Sequence, residues 1–136
     1  MPTGSLATVA RRYHTSQAHY LRKTVNWNDA GIAAGVLFGT LPQGAQITYI
    51  HINITTAFNA LTTNVLAAGT ALTGAQVFGT ADAAAGTAGS KIPNAAGMAL
   101  APLAADTPIY VSYTQTGTAA TAGVATITIE YSVDNG

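Results

Sequence analysis

The 136-residue chain contains no cysteine, which excludes disulfides, thiolate nucleophiles and cysteine-ligated zinc and leaves the redox compartment unmarked. Charge is almost as scarce. Charged side chains make up 7% of the residues, against about 25% in an ordinary globular protein. No apolar run approaches the ~18 residues of a membrane span, so no membrane partner is expected. Residues 1–14 show no apolar stretch behind a basic start, so they do not read as a secretory signal. No GxSxG-type turn marks a serine nucleophile, and no glycine loop is followed by the Lys-Ser/Thr pair of a phosphate site. The five carboxylates, Asp29, Asp82, Asp106, Glu130 and Asp134, are scattered, so no pair is marked for general acid–base work. The three histidines, His14, His19 and His51, have no acid near them in sequence and read as surface or hydrogen-bonded residues. No enzyme activity, metal or cofactor is expected.

Ala, Gly and Thr fill the space that charge leaves, and hydrophobic residues reach 49% with zero net charge. That balance is the opposite of a disordered composition. A chain of this size is expected to form one domain with a surface of ~6,600 Å² and to bury about two-thirds of what it exposes unfolded. So little charge makes a free monomer poorly soluble; a surface covered by further copies or by a partner resolves that. The zero net charge also hides a split. Arg11, Arg12, Arg22 and Lys23 all precede the first acid, so residues 1–28 carry +4 and the remainder −4. These four residues are the candidate partner-binding set, suited to an acidic surface. Arg11-Arg12-Tyr13 and Arg22-Lys23 are too few for the basic, aromatic-interleaved stripe of a nucleic-acid binder.

The dominant stretch is residues 44–58, GAQITYIHINITTAF. Ile50, Ile52 and Ile54 alternate with His51, Asn53 and Thr55, the period of a half-buried strand. Ile47 and Tyr49 fall on the other parity, so the strand is covered on both faces there or carries a bulge. Ahead of it, residues 1–17 lack a period and read as an extended arm. Residues 18–28 are β-prone, residues 28–31 form a turn, residues 32–38 are a second apolar run, and Pro42 and Gly44 break the chain. Beyond it, residues 62–70 read as a strand, with a helix over 57–72 as the competing reading; β-branched Thr and Gly69 disfavour that helix. The Ala/Gly/Thr-rich residues 73–106 read as projecting loops, with short strands at 75–78 and 98–100 and one helical turn at 83–85 capped by Asp82.

At the end of the chain, Ile109, Val111 and Tyr113 share one face of a strand, and Ala125, Ile127, Ile129, Tyr131 and Val133 one face of another. Joined by TGTAATAG, the two strands are expected to pair as a hairpin. About eight strands with no amphipathic crossover helix predict an all-β fold, an antiparallel jelly-roll-like sandwich over residues 18–136 behind the 1–17 arm. The aromatics fall mostly at strand positions, where core or interface packing is the default. Tyr20 with Trp27 is the candidate platform for a sugar.

Residues 24–72 also carry a recognisable pattern: the turn Asn28-Asp29-Ala30-Gly31-Ile32, the lead-in from Gly39 to Ile47, the exit Thr56-Ala57-Phe58-Asn59-Ala60, and a strand ending in Gly69-Thr70. With the last strand, Gly123 to Tyr131, this resembles small structural proteins of tailed bacteriophages. The resemblance implies a capsid decoration, or cement, protein: a sandwich, assembled as a homotrimer, that is made in the bacterial host cytoplasm and clamps the major capsid protein on the virion surface. A tail or neck component, or a carbohydrate-binding adhesion sandwich, is the alternative. Decoration needs area and shape rather than catalytic groups, and the composition suits that task.

Overall fold

The structure, a computed structural model, describes residues 18–79, 83–93 and 102–133. The expected arm at 1–17 with Arg11 and Arg12, the strand at 98–100, and Asp82 as a cap lie outside the described residues. Seven strands are present: β1 (Ala18–Asn26), β2 (Val36–Leu41), β3 (Ala45–Thr56), β4 (Thr63–Gly69), β5 (Gly89–Lys91), β6 (Thr107–Thr116) and β7 (Val124–Val133). They form a four-stranded sheet of order β1-β7-β3-β5 and a three-stranded sheet of order β2-β6-β4, with every pairing antiparallel. Each named strand lies in the opposite sheet from its predecessor, and the longest connection is β4–β5. There Phe78 makes a single bridge to Ala68 on the open side of β4. With that bridge taken as a vestigial eighth strand, the winding is that of a jelly-roll-like sandwich. It also accounts for the expected strand at 75–78, which shrinks to one bridge.

The expected pairing of the last two strands does not occur. β6 lies at the centre of the three-stranded sheet and β7 at the centre of the four-stranded one. Alternation identifies a buried face, and both strands have one. The seven-residue link, 117–123, crosses the ~10 Å between sheets instead of reversing within one.

The apolar set does change parity along β3, through a bulge. Ile47 faces Tyr131 and Tyr49 faces Glu130 across β7, so Thr48 is the extra residue. Ala45 and Ile47 before it, and Ile50, Ile52 and Ile54 after it, all point into the core, whereas Tyr49 turns outward. The run at 32–38 becomes a strand only from Val36. Gly31 (φ 76°) and Gly35 (φ 108°) adopt conformations that favour glycine and hold a turn there. Ile32 is buried within this turn, and its carbonyl accepts from the Tyr113 amide at 3.0 Å. Residues 63–69 form the expected strand, not the competing helix. The expected helical turn does not run through 83–85: the Ala83 amide donates to the Gly79 carbonyl at 3.2 Å, but Ala84 has φ 44°, outside helical geometry.

The core is a single cluster between the sheets. Its largest fully buried side chains include Tyr113, Phe58, Phe78, Ile50, Ile127 and Ile129. One end is stitched by the Thr56 to Ala60 exit. The Phe58 ring packs on Tyr113 with centroids 4.5 Å apart. Asn59 accepts from the amides of Thr121 and Ala122 at 2.8 and 3.0 Å. Asn64 bonds both polar backbone groups of Ala60 and accepts from the Tyr113 hydroxyl at 2.6 Å. These residues hold connections together, which is the physical reason for that motif.

Candidate functional site

A two-sheet sandwich presents two outer faces, and here they differ in chemistry. Outward positions of the four-stranded sheet fall in rows set by register. Tyr20, Glu130 and Tyr49 form one row, Arg22, Thr128 and His51 the next, and Thr24, Thr126 and Asn53 a third. Arg22 Nε donates to Thr128 Oγ1 at 3.1 Å. Thr128 is consequently 8% exposed although it points away from the core. Glu130 accepts from Thr48 Oγ1 at 3.1 Å, so the bulge supplies a donor to the site. Glu130 also accepts from the Tyr20 hydroxyl, and that bond together with the nearby negative charge raises the Tyr20 pKa above the ordinary tyrosine value. Tyr49 and His51 stack, with centroids 6.4 Å apart and planes 7° from parallel. Beside this network is a cleft of about 340 Å³ lined, among the described residues, by Tyr20, Arg22 and Thr128.

The outer face of the three-stranded sheet carries no charge at all: β2, β4 and β6 contain no Asp, Glu, Lys or Arg. Leu37, Tyr110 and Gly69 form one row, Ala67 and Ser112 the next, and Val65 with Thr114 a third. Leu37 stays 54% exposed. The first face therefore offers a hydrogen-bonding aromatic surface; the second is neutral and open only in part, around Leu37, Tyr110, Val65 and Thr114, since Gly69, Ala67 and Ser112 are buried.

The expected partner-binding residues separate. Arg22 lies on the outer face, whereas Lys23 sits opposite Ile127 on the core side and is half-buried. Successive strand residues point to opposite faces, so neighbours in sequence cannot form one patch here. A charge turned inward on β1, an edge strand, also discourages edge-to-edge pairing. The Tyr20–Trp27 platform does not exist: Tyr20 is outward, and Trp27, seven residues on, packs against the core cluster. The aromatic that accompanies Tyr20 on its face is Tyr49, 37% exposed, which the parity pattern had grouped with the buried set.

The described carboxylates serve separate structural tasks. Asp29 accepts from the Asn26 amide at 2.9 Å in the β1–β2 turn, Asp106 from the Gln43 amide at 2.9 Å, and Glu130 lies on β7. His19 stacks on Tyr131 with centroids 5.5 Å apart, on the face opposite His51. Among the described residues no group of three or more His, Cys, Asp or Glu is placed to hold a metal ion, and no helix is long and apolar enough to cross a membrane.

No protein-family model and no curated protein matches the sequence. Solved structures do match the fold. A chain of the Cyanophage Pam1 capsid asymmetric unit superposes with a TM-score of 0.67 at 19% identity, covering 98% of this chain and 99% of that one. A chain of the capsid of Ralstonia phage GP4 superposes with a TM-score of 0.56 at 12% identity, covering 89% and 86%. At these identities the shared property is the sandwich itself.

Proposed function

We propose that this protein is a structural component of a bacteriophage virion that binds the outside of an assembled capsid as a decoration protein and stabilises it. The observation that carries the reading is the near-complete mutual coverage, 98% and 99%, with a chain of a phage capsid asymmetric unit. The similarity spans the whole sandwich, so this chain has the architecture of an entire capsid-associated chain rather than of one module in it. A decoration protein stabilises by linkage: it binds the assembled shell and not the free subunit, so every bound copy adds to the cost of disassembly.

In this proposal the charge-free face around Leu37, Val65 and Tyr110 meets the major capsid protein. Interface centres are depleted of charge and enriched in aromatics. The same shortage of charge favours a homotrimer, in which copies cover part of one another's surface. The arm at residues 1–17 reaches up to ~60 Å when extended and anchors the domain through Arg11 and Arg12, whose planar guanidinium groups bind carboxylates bidentately. A tail or neck position for the same sandwich is the second reading, since the fold alone does not specify where in a virion it sits.

The test uses particles stripped of this protein. Leu37→Asp is expected to fold with an unchanged melting temperature, because Leu37 is 54% exposed, and to lose particle binding at least tenfold. A chain starting at Ala18, and Arg11→Ala/Arg12→Ala, are expected to melt normally and to bind less well, the deficit shrinking as salt rises. Full binding by Leu37→Asp would remove the docking face from the account, and full binding by the shortened chain would remove the arm.

A further inference from the structure

We infer that the cleft at Tyr20, Arg22 and Thr128 is a binding site for uncharged, hydroxyl-rich saccharides, on the face of the sandwich turned away from the proposed capsid contact. The ~340 Å³ cleft is at the small end of ligand sites and fits one or two sugar rings. Its wall is Tyr20, 62% exposed, which offers a broad aromatic face to the C–H side of a pyranose. Thr128 also lines it, and Arg22, whose Nε donates to the Thr128 hydroxyl, brings further guanidinium N–H donors to the cleft it lines. Glu130, which spends acceptor capacity on Tyr20 and Thr48, retains lone pairs for a sugar hydroxyl.

The preference for an uncharged ligand follows from the balance of the site. Arg22 and Glu130 are on adjacent rows of the same face, so donor and acceptor are both present and their charges cancel. An anion drawn to Arg22 meets the Glu130 carboxylate; a polyol satisfies both. The network also holds the site ready before a ligand arrives. Arg22 is tied to Thr128, and Tyr20 and Thr48 to Glu130, which reduces the ordering cost of binding. The inference does not depend on the capsid reading, since it stands on the cleft alone.

A single hexose in so shallow a site is expected to bind with a Kd on the order of millimolar, so the assay needs multivalent display. The full chain, biotinylated and held on streptavidin, is applied to an array of neutral and acidic glycans. The expected result is retention on neutral hexose-bearing glycans. Tyr20→Ala and Arg22→Ala should each weaken it at least tenfold while the domain stays folded at the assay temperature, and Leu37→Asp, on the other face, should leave it intact. No retention on any neutral glycan, retention on acidic glycans alone, or retention that survives Tyr20→Ala each overturns the proposal. Loss of binding to stripped particles by Tyr20→Ala would also overturn it, by showing that this face is the docking surface. Particle binding by Leu37→Asp tests the capsid reading separately, so failure of one can be told from failure of the other.

Discussion

Replacing Gly123 by alanine is expected to destabilise the domain by about 4 kcal/mol, the sum of two penalties of about 1–3 kcal/mol each. The first is conformational. Gly123 has φ 151°, at the limit of the range that L side chains rarely adopt, and its carbonyl is held by the Trp27 amide at 3.0 Å, so the backbone cannot simply rotate. The second is steric. A Cβ there would lie 2.6 Å from Phe58 Cγ and 2.9 Å from Cε2, far inside van der Waals contact. Phe58 has no retreat: it is 1% exposed, packs on Tyr113, and Tyr113 is tied to Asn64. The assay is urea unfolding followed by the fluorescence of the single tryptophan, Trp27, at fixed protein concentration. A loss of about 4 kcal/mol should lower the melting temperature by about 10–20 °C. Phe58→Leu combined with Gly123→Ala should relieve the steric part and retain the conformational one, giving a coupling of at least ~1 kcal/mol. A Gly123→Ala variant that loses under ~0.5 kcal/mol, or a pair whose effects add, would refute the close packing of the β6–β7 link on Phe58.

Ile129→Asp is expected to cost on the order of 3 kcal/mol or more, because Ile129 is fully buried and the carboxylate would be desolvated without a partner. Thr128→Asp should cost under about 1 kcal/mol despite the burial of Thr128, because Arg22 lies within hydrogen-bond reach to pair with the new charge; equal melting of the two variants would contradict the face assignment. The folded state holds the Tyr20 proton more tightly than the unfolded chain does, so the Tyr20–Glu130 bond contributes fully below a pH of about 10 and its contribution is lost as pH rises further. Phenolate absorbance should show two late-titrating tyrosines, Tyr20 and the buried Tyr113, of which Glu130→Gln returns only Tyr20 towards the ordinary value; an unchanged titration would show that the bond is not formed in solution.

Much of the sandwich was legible because a half-buried strand writes its face into alternate residues. The parity change along β3 was readable as either two-sided burial or a bulge, and the extra residue Thr48 decides for the bulge. What alternation does not encode is which sheet a strand joins. β6 and β7 have equally clear buried faces and sit in opposite sheets, and only the length of their link hinted at the crossing. Ile32 misled in a similar way, since burial in a turn leaves the same apolar signal as burial in a strand. The outer-face site was less legible still. Tyr20, Glu130 and Tyr49 lie far apart in the chain and meet only through the register of three strands. The division of Arg22 from Lys23, by contrast, follows from the period of two and was available from their adjacency alone.

The central claim, that this sandwich decorates a phage shell, is tested most directly by imaging a purified virion that contains the chain, at a resolution that traces strands. The account predicts three copies grouped on the outside of the shell, with β2, β6 and β4 against the major capsid protein and the Tyr20–Arg22 face turned to solvent. Density for this chain confined to the tail or neck, or a shell that contacts it through the four-stranded sheet, would contradict it.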